Sequence, residues 1–139
     1  RRAATYGLVA VGPEATAVFL TAAKSQLKWI RKAGVYGLGE IGQLNSSVLE
    51  CLYDRLKNDS SAYVRSVAAG SVGCFIRRLA DSNMNIDLVA KSFEALIESL
   101  NSEENRTSMN IVQAILHSVL EVHTRWFSML VNLMTRIQL

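Results

Sequence analysis

Residues 30–42, IRKAGVYGLGEIG, decide the fold because the same pattern occurs elsewhere in the chain. Residues 1–12, RRAATYGLVAVG, align with residues 31–42 without a gap, and six of the twelve positions are identical. A weaker copy begins at Arg65 and keeps the arginine and the later Gly73. The shift is 30 residues between the first two copies and 34 between the second and the third. Periods of this length indicate stacked supersecondary units, so the sequence predicts a repeat protein.

Composition sets limits on the class of protein. Half of the 139 residues are hydrophobic, which suffices for a core if the units stack. The single proline and the 7% of aromatic residues do not favour a proline-rich tail or a coat of base-stacking side chains. The net charge of +3 is uneven, since residues 1–32 are basic and residues 81–104 are acidic. Cys51 and Cys74 fall in predicted helices, where buried thiols are common, so we expect reduced cysteines and an intracellular protein of unknown compartment.

Apolar residues return at helical spacing, so that each repeat predicts two helices joined by a turn. Gly12 and Gly42 end first helices, Pro13 suits the start of a second helix, and Ser47 and Glu50 have the spacing of a capping box. The predicted fold is all-α, with about four hairpins at residues 1–26, 27–59, 60–101 and 102–139. The first residues offer no N-cap and the last no stop signal, so we expect an excerpt of a longer solenoid with flanking repeats.

These residues resemble a known family. A V/I-R/K-x-A pattern opening the first helix, with L-G-x-I-G near its end, is similar to HEAT repeats, which are armadillo-like α-solenoids. The copies RRAATYGL…VGPEA and IRKAGVYGLGEIG are most similar to the subclass found in phycobilisome-lyase-type proteins. The resemblance covers about residues 1–80. It implies a right-handed stack of hairpins, in which the second helix of each pair lines the concave surface.

Three glycines in the second repeat also match a dinucleotide-binding motif. Residues 37–42, GLGEIG, fit G-x-G-x-x-G, but a dinucleotide site needs a preceding strand, and a helical pattern precedes these glycines. We interpret the match as accidental. Because each interior glycine costs a helix about 1 kcal/mol against alanine, the glycines predict close approach of neighbouring helices. His117 and His123 lack partners at ligand spacing, and no serine has a recognisable base, so we predict no catalytic residue, metal site or cofactor.

A group of basic residues is the best candidate for phosphate binding. It comprises Arg1, Arg2, Lys24, Lys28, Arg31 and Lys32. The resemblance implies, however, that the recurring arginine bonds within the stack, so that Arg31 pairs with an acidic group such as Asp59. Nucleic acid is therefore an unlikely partner on this interpretation.

The leading functional hypothesis is a non-enzymatic scaffold or adaptor segment that binds another protein or protein complex. The predicted binding residues lie on the second helices, opposite the apolar stripe of each helix. They are Glu50, Asp54, Lys57, Asp87, Lys91, Glu94 and Glu98. Stacking would bring the two sets together as one mostly acidic ridge. Two alternatives stay open: a bilin lyase or pigment-attachment chaperone, which the lyase-like repeats imply, and a solenoid that binds the nucleic-acid backbone.

The last predicted helix is a candidate interface. From Trp126 to Met134 only Ser128 and Asn132 are polar, and a helix that is apolar nearly all round marks a buried element. The candidate interface residues are Trp126, Met129, Leu130 and Leu133. The apolar run is shorter than the roughly 20 residues that a membrane-spanning helix needs, so no span is predicted.

Overall fold

The computed structural model describes the backbone of residues 2–81, 85–102 and 105–137, and the side chains of residues 2–79, 85–101, 109–128 and 131. Seven α-helices and no β-strand occur in these ranges. The helices are α1 (Arg2–Val11), α2 (Thr16–Ala22), α3 (Lys28–Ile41), α4 (Ser46–Asn58), α5 (Ala62–Asp81), α6 (Ile86–Ser102) and α7 (Asn105–Ile137). A 3₁₀ turn, Pro13–Ala15, precedes α2. The all-α prediction is confirmed, and the G-x-G-x-x-G match lies within α3 and its C-terminal end.

The ends of the helices follow from local chemistry. Gly12 and Gly42 terminate α1 and α3 with φ angles of 86° and 65°, which lie in the left-handed region that glycine adopts at no steric cost. The side chain of Asn45 accepts a hydrogen bond of 2.9 Å from the backbone N–H of Val48 at the start of α4. The N-cap of α4 is therefore Asn45, and the predicted capping residue Ser47 lies inside the helix.

The helices form two layers. The first-helix layer contains α1, α3, α5 and α7, each packed against the next, and in the second-helix layer α4 packs against α6. Helix α2 packs against α3, and α4 packs against α5. The hydrophobic core lies between the layers, and its fully buried side chains include Leu38, Leu52, Leu56, Val72, Phe75, Ile76 and Leu96. This is the stack of hairpins that the repeats predict, whereas the right-handedness of the superhelix stays a prediction.

Helix α3 approaches α2 at van der Waals contact. A Cβ atom added to Gly34 would lie 2.3 Å from the backbone nitrogen of Ala23, and one added to Gly37 would lie 2.3 Å from the ring of Phe19. The backbone of α2 therefore requires glycine at position 34, and at position 37 a Cβ atom would displace the buried ring of Phe19. The predicted role of these glycines in close packing is confirmed.

Serine hydroxyls connect neighbouring helices in both layers. Ser71 on α5 donates a hydrogen bond of 3.0 Å to the backbone carbonyl of Val35 on α3. Ser99 on α6 donates one of 3.3 Å to the backbone carbonyl of Leu56 on α4. Both serines are buried. Each hydrogen bond therefore satisfies a hydroxyl group that would cost free energy if it lacked a partner inside the core.

The described part of the fourth unit is one helix, whereas the sequence predicts a hairpin over residues 102–139. Helix α7 continues from Asn105 to Ile137, and this range contains no glycine or proline that could end it. The hydroxyls of Thr124 and Ser128 donate to backbone carbonyls four residues earlier, as in a helix interior, and do not cap a new helix. The described chain thus comprises three hairpins and a fourth first helix.

Candidate interaction surfaces

The structure places the seven predicted binding residues on one surface, which we call the second-helix ridge. All seven are exposed, and they lie on α4 and α6, which are adjacent. They are Glu50, Asp54 and Lys57 on α4, and Asp87, Lys91, Glu94 and Glu98 on α6. The ammonium group of Lys57 forms a salt bridge with Glu98 across the two helices. The ridge is therefore continuous from one hairpin to the next.

Contacts beneath the ridge hold α4 and α6 together. The hydroxyl groups of Tyr53 and Ser92 are 2.7 Å apart, and burial raises the pKa of Tyr53, so its hydroxyl stays protonated near neutral pH. The ammonium group of Lys91 lies 5.9 Å from the centre of the Tyr53 ring. These contacts fix the spacing of the two helices, and a surface carried by fixed helices is pre-organised for binding.

The ridge has an excess of negative charge. Five of its seven residues are acidic and two are lysines. A hydrogen bond from Arg55 and a second from Asn58 lower the pKa of Asp54, which is consequently ionised at neutral pH. Arg55 lies beside the ridge and offsets part of this charge, but the acidic groups remain in the majority.

Arg31 is buried and bonds within the stack, as the resemblance to HEAT repeats implies. Its Nε and one terminal nitrogen donate to the carboxylate of Asp59 at 2.7 and 2.9 Å, and the other terminal nitrogen donates to the backbone carbonyls of Ser25 and Gln26. Burial alone would raise the pKa of Asp59, but the hydrogen bonds from Arg31 and from the backbone N–H of Ser61 outweigh it and lower that pKa. The predicted pairing is confirmed, and Arg31 is removed from the group of cations open to phosphate.

The described part of the candidate interface on α7 is exposed. Trp126 is 39% exposed, and neighbouring Phe127 is 63% exposed. Trp126 and His123 line an apolar groove of about 370 Å³ between α6 and α7. The side chains of Met129, Leu130 and Leu133 lie outside the described residues, so the interface itself stays a prediction.

A third surface was missed by sequence reasoning. We call it the first-helix groove, an open trough of about 440 Å³ across α1, α3 and α5. Its principal lining residues are Arg2, Tyr6, Trp29, Lys32, Tyr36 and Tyr63. The signal was present in the repeats. The shift of 30 residues superposes Arg2 on Lys32 and Tyr6 on Tyr36, and the shift of 34 superposes Trp29 on Tyr63.

The described side chains offer no constellation for metal chemistry. They contain no group of three or more histidine, cysteine, aspartate or glutamate residues that could hold a metal ion. Cys51 and Cys74 are free and half-buried, and burial raises the pKa of the Cys51 thiol. No helix among the described residues has the length and apolar character to cross a membrane.

The first half of the chain matches a known protein family. A family model for HEAT repeats matches residues 1–73, slightly more than half of the chain. This range contains α1 to α4 and part of α5. No curated protein and no solved structure matches the chain significantly.

Proposed function

The chain belongs to the HEAT-repeat family, and from this premise we propose that it is a protein-binding scaffold segment that docks a basic partner along the second-helix ridge. HEAT repeats are commonly protein-interaction scaffolds and are generally non-enzymatic. One observation carries the choice of surface. The packing of α4 against α6 gathers seven exposed charged side chains from two hairpins on one face.

The chemistry of the ridge favours a basic partner. Its acidic groups project from two fixed helices, and their field would accelerate association with a positively charged surface. The salt bridge between Lys57 and Glu98 is exposed, and exposed pairs contribute only about 0–1 kcal/mol to stability. Glu98 can consequently exchange its lysine for a cationic group of a partner at little cost.

The test is a charge reversal with a matched control. The ridge variant combines Asp87→Lys, Glu94→Lys and Glu98→Lys, and the control combines Glu14→Lys, Glu40→Lys and Glu121→Lys, three acidic residues that are exposed and off the ridge. Both variants have the same net charge. Thermal unfolding establishes that each is folded, and affinity capture from native extract is quantified by mass spectrometry together with the salt dependence of binding.

We expect the ridge variant to lose a specific set of captured proteins that the control retains. Association of the wild-type chain should slow as salt rises, because rim charges act mainly on the on-rate. Equal capture by the folded ridge variant would show that the ridge is only a solvated face.

No specific observation favours the two alternatives from other classes. A bilin lyase would need a chromophore site, and the proposal is tested against it by assaying bilin transfer to an apoprotein. A nucleic-acid solenoid would need several free cations, but Arg31 is bound to Asp59.

A further inference from the structure

We propose that the first-helix groove is a second binding site, which holds a short acidic peptide in extended conformation on the face opposite the second-helix ridge. The groove is independent of the ridge because it is built only from first helices. Its lining residues lie on α1, α3 and α5, whereas the ridge lies on α4 and α6. The two sites would give the solenoid one acidic and one basic face.

Aromatic side chains form the walls of the groove. Tyr6 and Tyr36 pack edge to face with ring centres 6.2 Å apart, and Trp29 and Tyr63 do the same at 5.9 Å. Tyr6, Trp29 and Tyr63 are each about half exposed. Single exposed aromatic residues are common, but such a cluster in a concave surface is typical of binding sites, where tyrosine, tryptophan and arginine contribute most of the energy.

Cations are placed among these rings. The ammonium group of Lys32 lies 4.6 Å from the centre of the Tyr63 ring and donates a hydrogen bond of 2.8 Å to the Tyr63 hydroxyl. Lys28 lies 5.0 Å from the centre of the Trp29 ring, and Arg2 lines the groove from α1. None of the residues lining the groove is acidic. The groove is therefore electrostatically complementary to carboxylates, with apolar ring surface between the cations.

The length of the groove fits an extended peptide. Packed helices lie about 8–10 Å apart, so a path from α1 across α3 to α5 spans roughly 20 Å. An extended chain covers about 3.3 Å per residue, which gives about six residues.

The arrangement of the rings favours a peptide over single-stranded nucleic acid. Base stacking needs free ring faces, but Trp29 and Tyr63 already pack edge to face against each other, and the ammonium groups of Lys28 and Lys32 lie close to these rings. The two cations that line the groove, Arg2 and Lys32, also neutralise few phosphates, and nucleic-acid affinity depends on the number neutralised. Carboxylate side chains need only the cations and leave the rings to contact an apolar side chain.

The groove ends at the third repeat, because the residues there that correspond to Lys32 and Tyr36 have different side chains. The shift of 34 residues carries Lys32 to Ser66 and Tyr36 to Gly70, so the basic and the aromatic side chain are both lost. Ser66 and Gly70 line the next trough along the first-helix layer, where Glu40 offsets the charge of Arg77, so that this trough lacks the positive charge of the first-helix groove. An acidic peptide is consequently expected on α1, α3 and the start of α5, and not farther along the layer.

The experiment measures binding of a defined probe to the full 139-residue chain. The probe is a fluorescent six-residue peptide of aspartate and glutamate with one central phenylalanine, and fluorescence anisotropy reports its Kd at low and at moderate salt. The variants are Lys32→Glu and Trp29→Ala, and the matched control is Lys24→Glu, an exposed lysine that does not line the groove. A lysine-rich peptide and a short oligothymidylate serve as competing probes.

We expect Lys32→Glu and Trp29→Ala each to raise the Kd about tenfold, which corresponds to about 1.4 kcal/mol, and Lys24→Glu to leave it within about twofold. Proton–nitrogen NMR of the wild-type chain provides a second test, which does not depend on whether a variant folds. The peptide should shift the indole N–H resonance of Trp29 and leave that of Trp126 in place, with Trp126→Phe assigning the two.

Three results would overturn the proposal. The acidic peptide could fail to bind the wild-type chain, or Lys24→Glu could weaken binding as much as Lys32→Glu does. Tighter binding of oligothymidylate with the same dependence on Lys32 and Trp29 would assign the groove to nucleic acid instead.

Discussion

Helix α3 and helix α7 are both first helices, yet α3 packs against four helices and α7 packs against two. Helix α3 contacts α1, α2, α4 and α5, and its Arg31 reaches the buried carboxylate of Asp59. Helix α7 contacts α5 and α6 and exposes large apolar side chains, among them Leu116, Leu120 and Phe127. The difference follows from their neighbours, since α3 has a first helix on either side, α1 and α5, whereas α7 contacts one, α5.

Among the substitutions on α3, the largest expected effect follows from removing the charge that this helix buries. Arg31→Met leaves the carboxylate of Asp59 inside the protein without its main partner, so we expect a loss of about 3–5 kcal/mol in the free energy of unfolding. Urea unfolding followed by circular dichroism measures it. Lys28→Met, one turn earlier on an exposed position, is the control and should change stability by less than about 0.5 kcal/mol. Similar losses in both variants would mean that the buried pair does not distinguish α3.

Acid should reduce the contribution of the same pair to the free energy of unfolding. We expect a smaller loss than in Arg31→Met, because protonated Asp59 keeps some of its hydrogen bonds. The folded-state pKa of Asp59 is lowered, so the pair contributes fully above the unfolded-state value of about 3.9 and is lost as the pH falls below it. Unfolding free energies of the wild-type chain and of Asp59→Asn should therefore differ in their slope against pH below about 4. Parallel slopes would contradict the assignment.

The close contact between α2 and α3 predicts a further loss. Gly34→Ala places a Cβ atom 2.3 Å from the backbone nitrogen of Ala23, and backbone atoms cannot move aside as a flexible side chain can. Overpacking of this kind costs about 1–3 kcal/mol and outweighs the better helix propensity of alanine. Thermal unfolding provides the measurement. A variant as stable as the wild-type chain would show that the two helices are not held at this distance.

Gly70→Ala should have the opposite sign. This glycine is also inside a first helix, but a Cβ atom there meets nothing within 4 Å. Only the propensity effect remains, so we expect a gain of up to about 1 kcal/mol, measured under the conditions used for Gly34→Ala. The two alanine variants together separate glycines that packing requires from those that it does not, and equal signs would remove the distinction.

The smallest effect on stability is expected at the open face of α7. Leu120 is 67% exposed, so Leu120→Lys removes little buried area and should alter the free energy of unfolding by less than about 0.5 kcal/mol. Val72→Lys, at a fully buried position of α5, is the contrasting variant and should prevent folding. A large destabilisation by Leu120→Lys would indicate that this face is already covered in the isolated chain.

The sequence was sufficient to predict the parts of the fold in which the arginine and glycine pattern recurs. The copies at residues 1–12 and 31–42 predicted helices that end at Gly12 and Gly42, and the resemblance to HEAT repeats implied the pairing of Arg31 within the stack. The fourth hairpin could not be predicted in the same way, because its segment lacks the arginine and glycine markers. There the helical period alone was available, and that period is the same for one long helix and for two short ones.

Candidate surfaces were predictable only where a single helix determines them. The polar faces of α4 and α6 follow from residues three and four apart, and the ridge needed only the packing of these helices to become continuous. The first-helix groove instead combines Tyr6, Trp29 and Tyr63 from three helices. Each of these residues by itself fits the description of an isolated surface aromatic, so that only their convergence in space identifies the groove.

The hydroxyl bonds of Ser71 and Ser99 give the solenoid a mechanical property. Each joins a side chain on one helix to a carbonyl on its neighbour, so axial sliding of either helix pair separates the two atoms by about 1.5 Å per residue of slip. Sliding would break both hydrogen bonds, which contribute about 0.5–1.5 kcal/mol each, whereas small changes of the angle between the helices would keep them. These two hydrogen bonds therefore oppose sliding of the helices along their axes more than they oppose small changes of the angle between them.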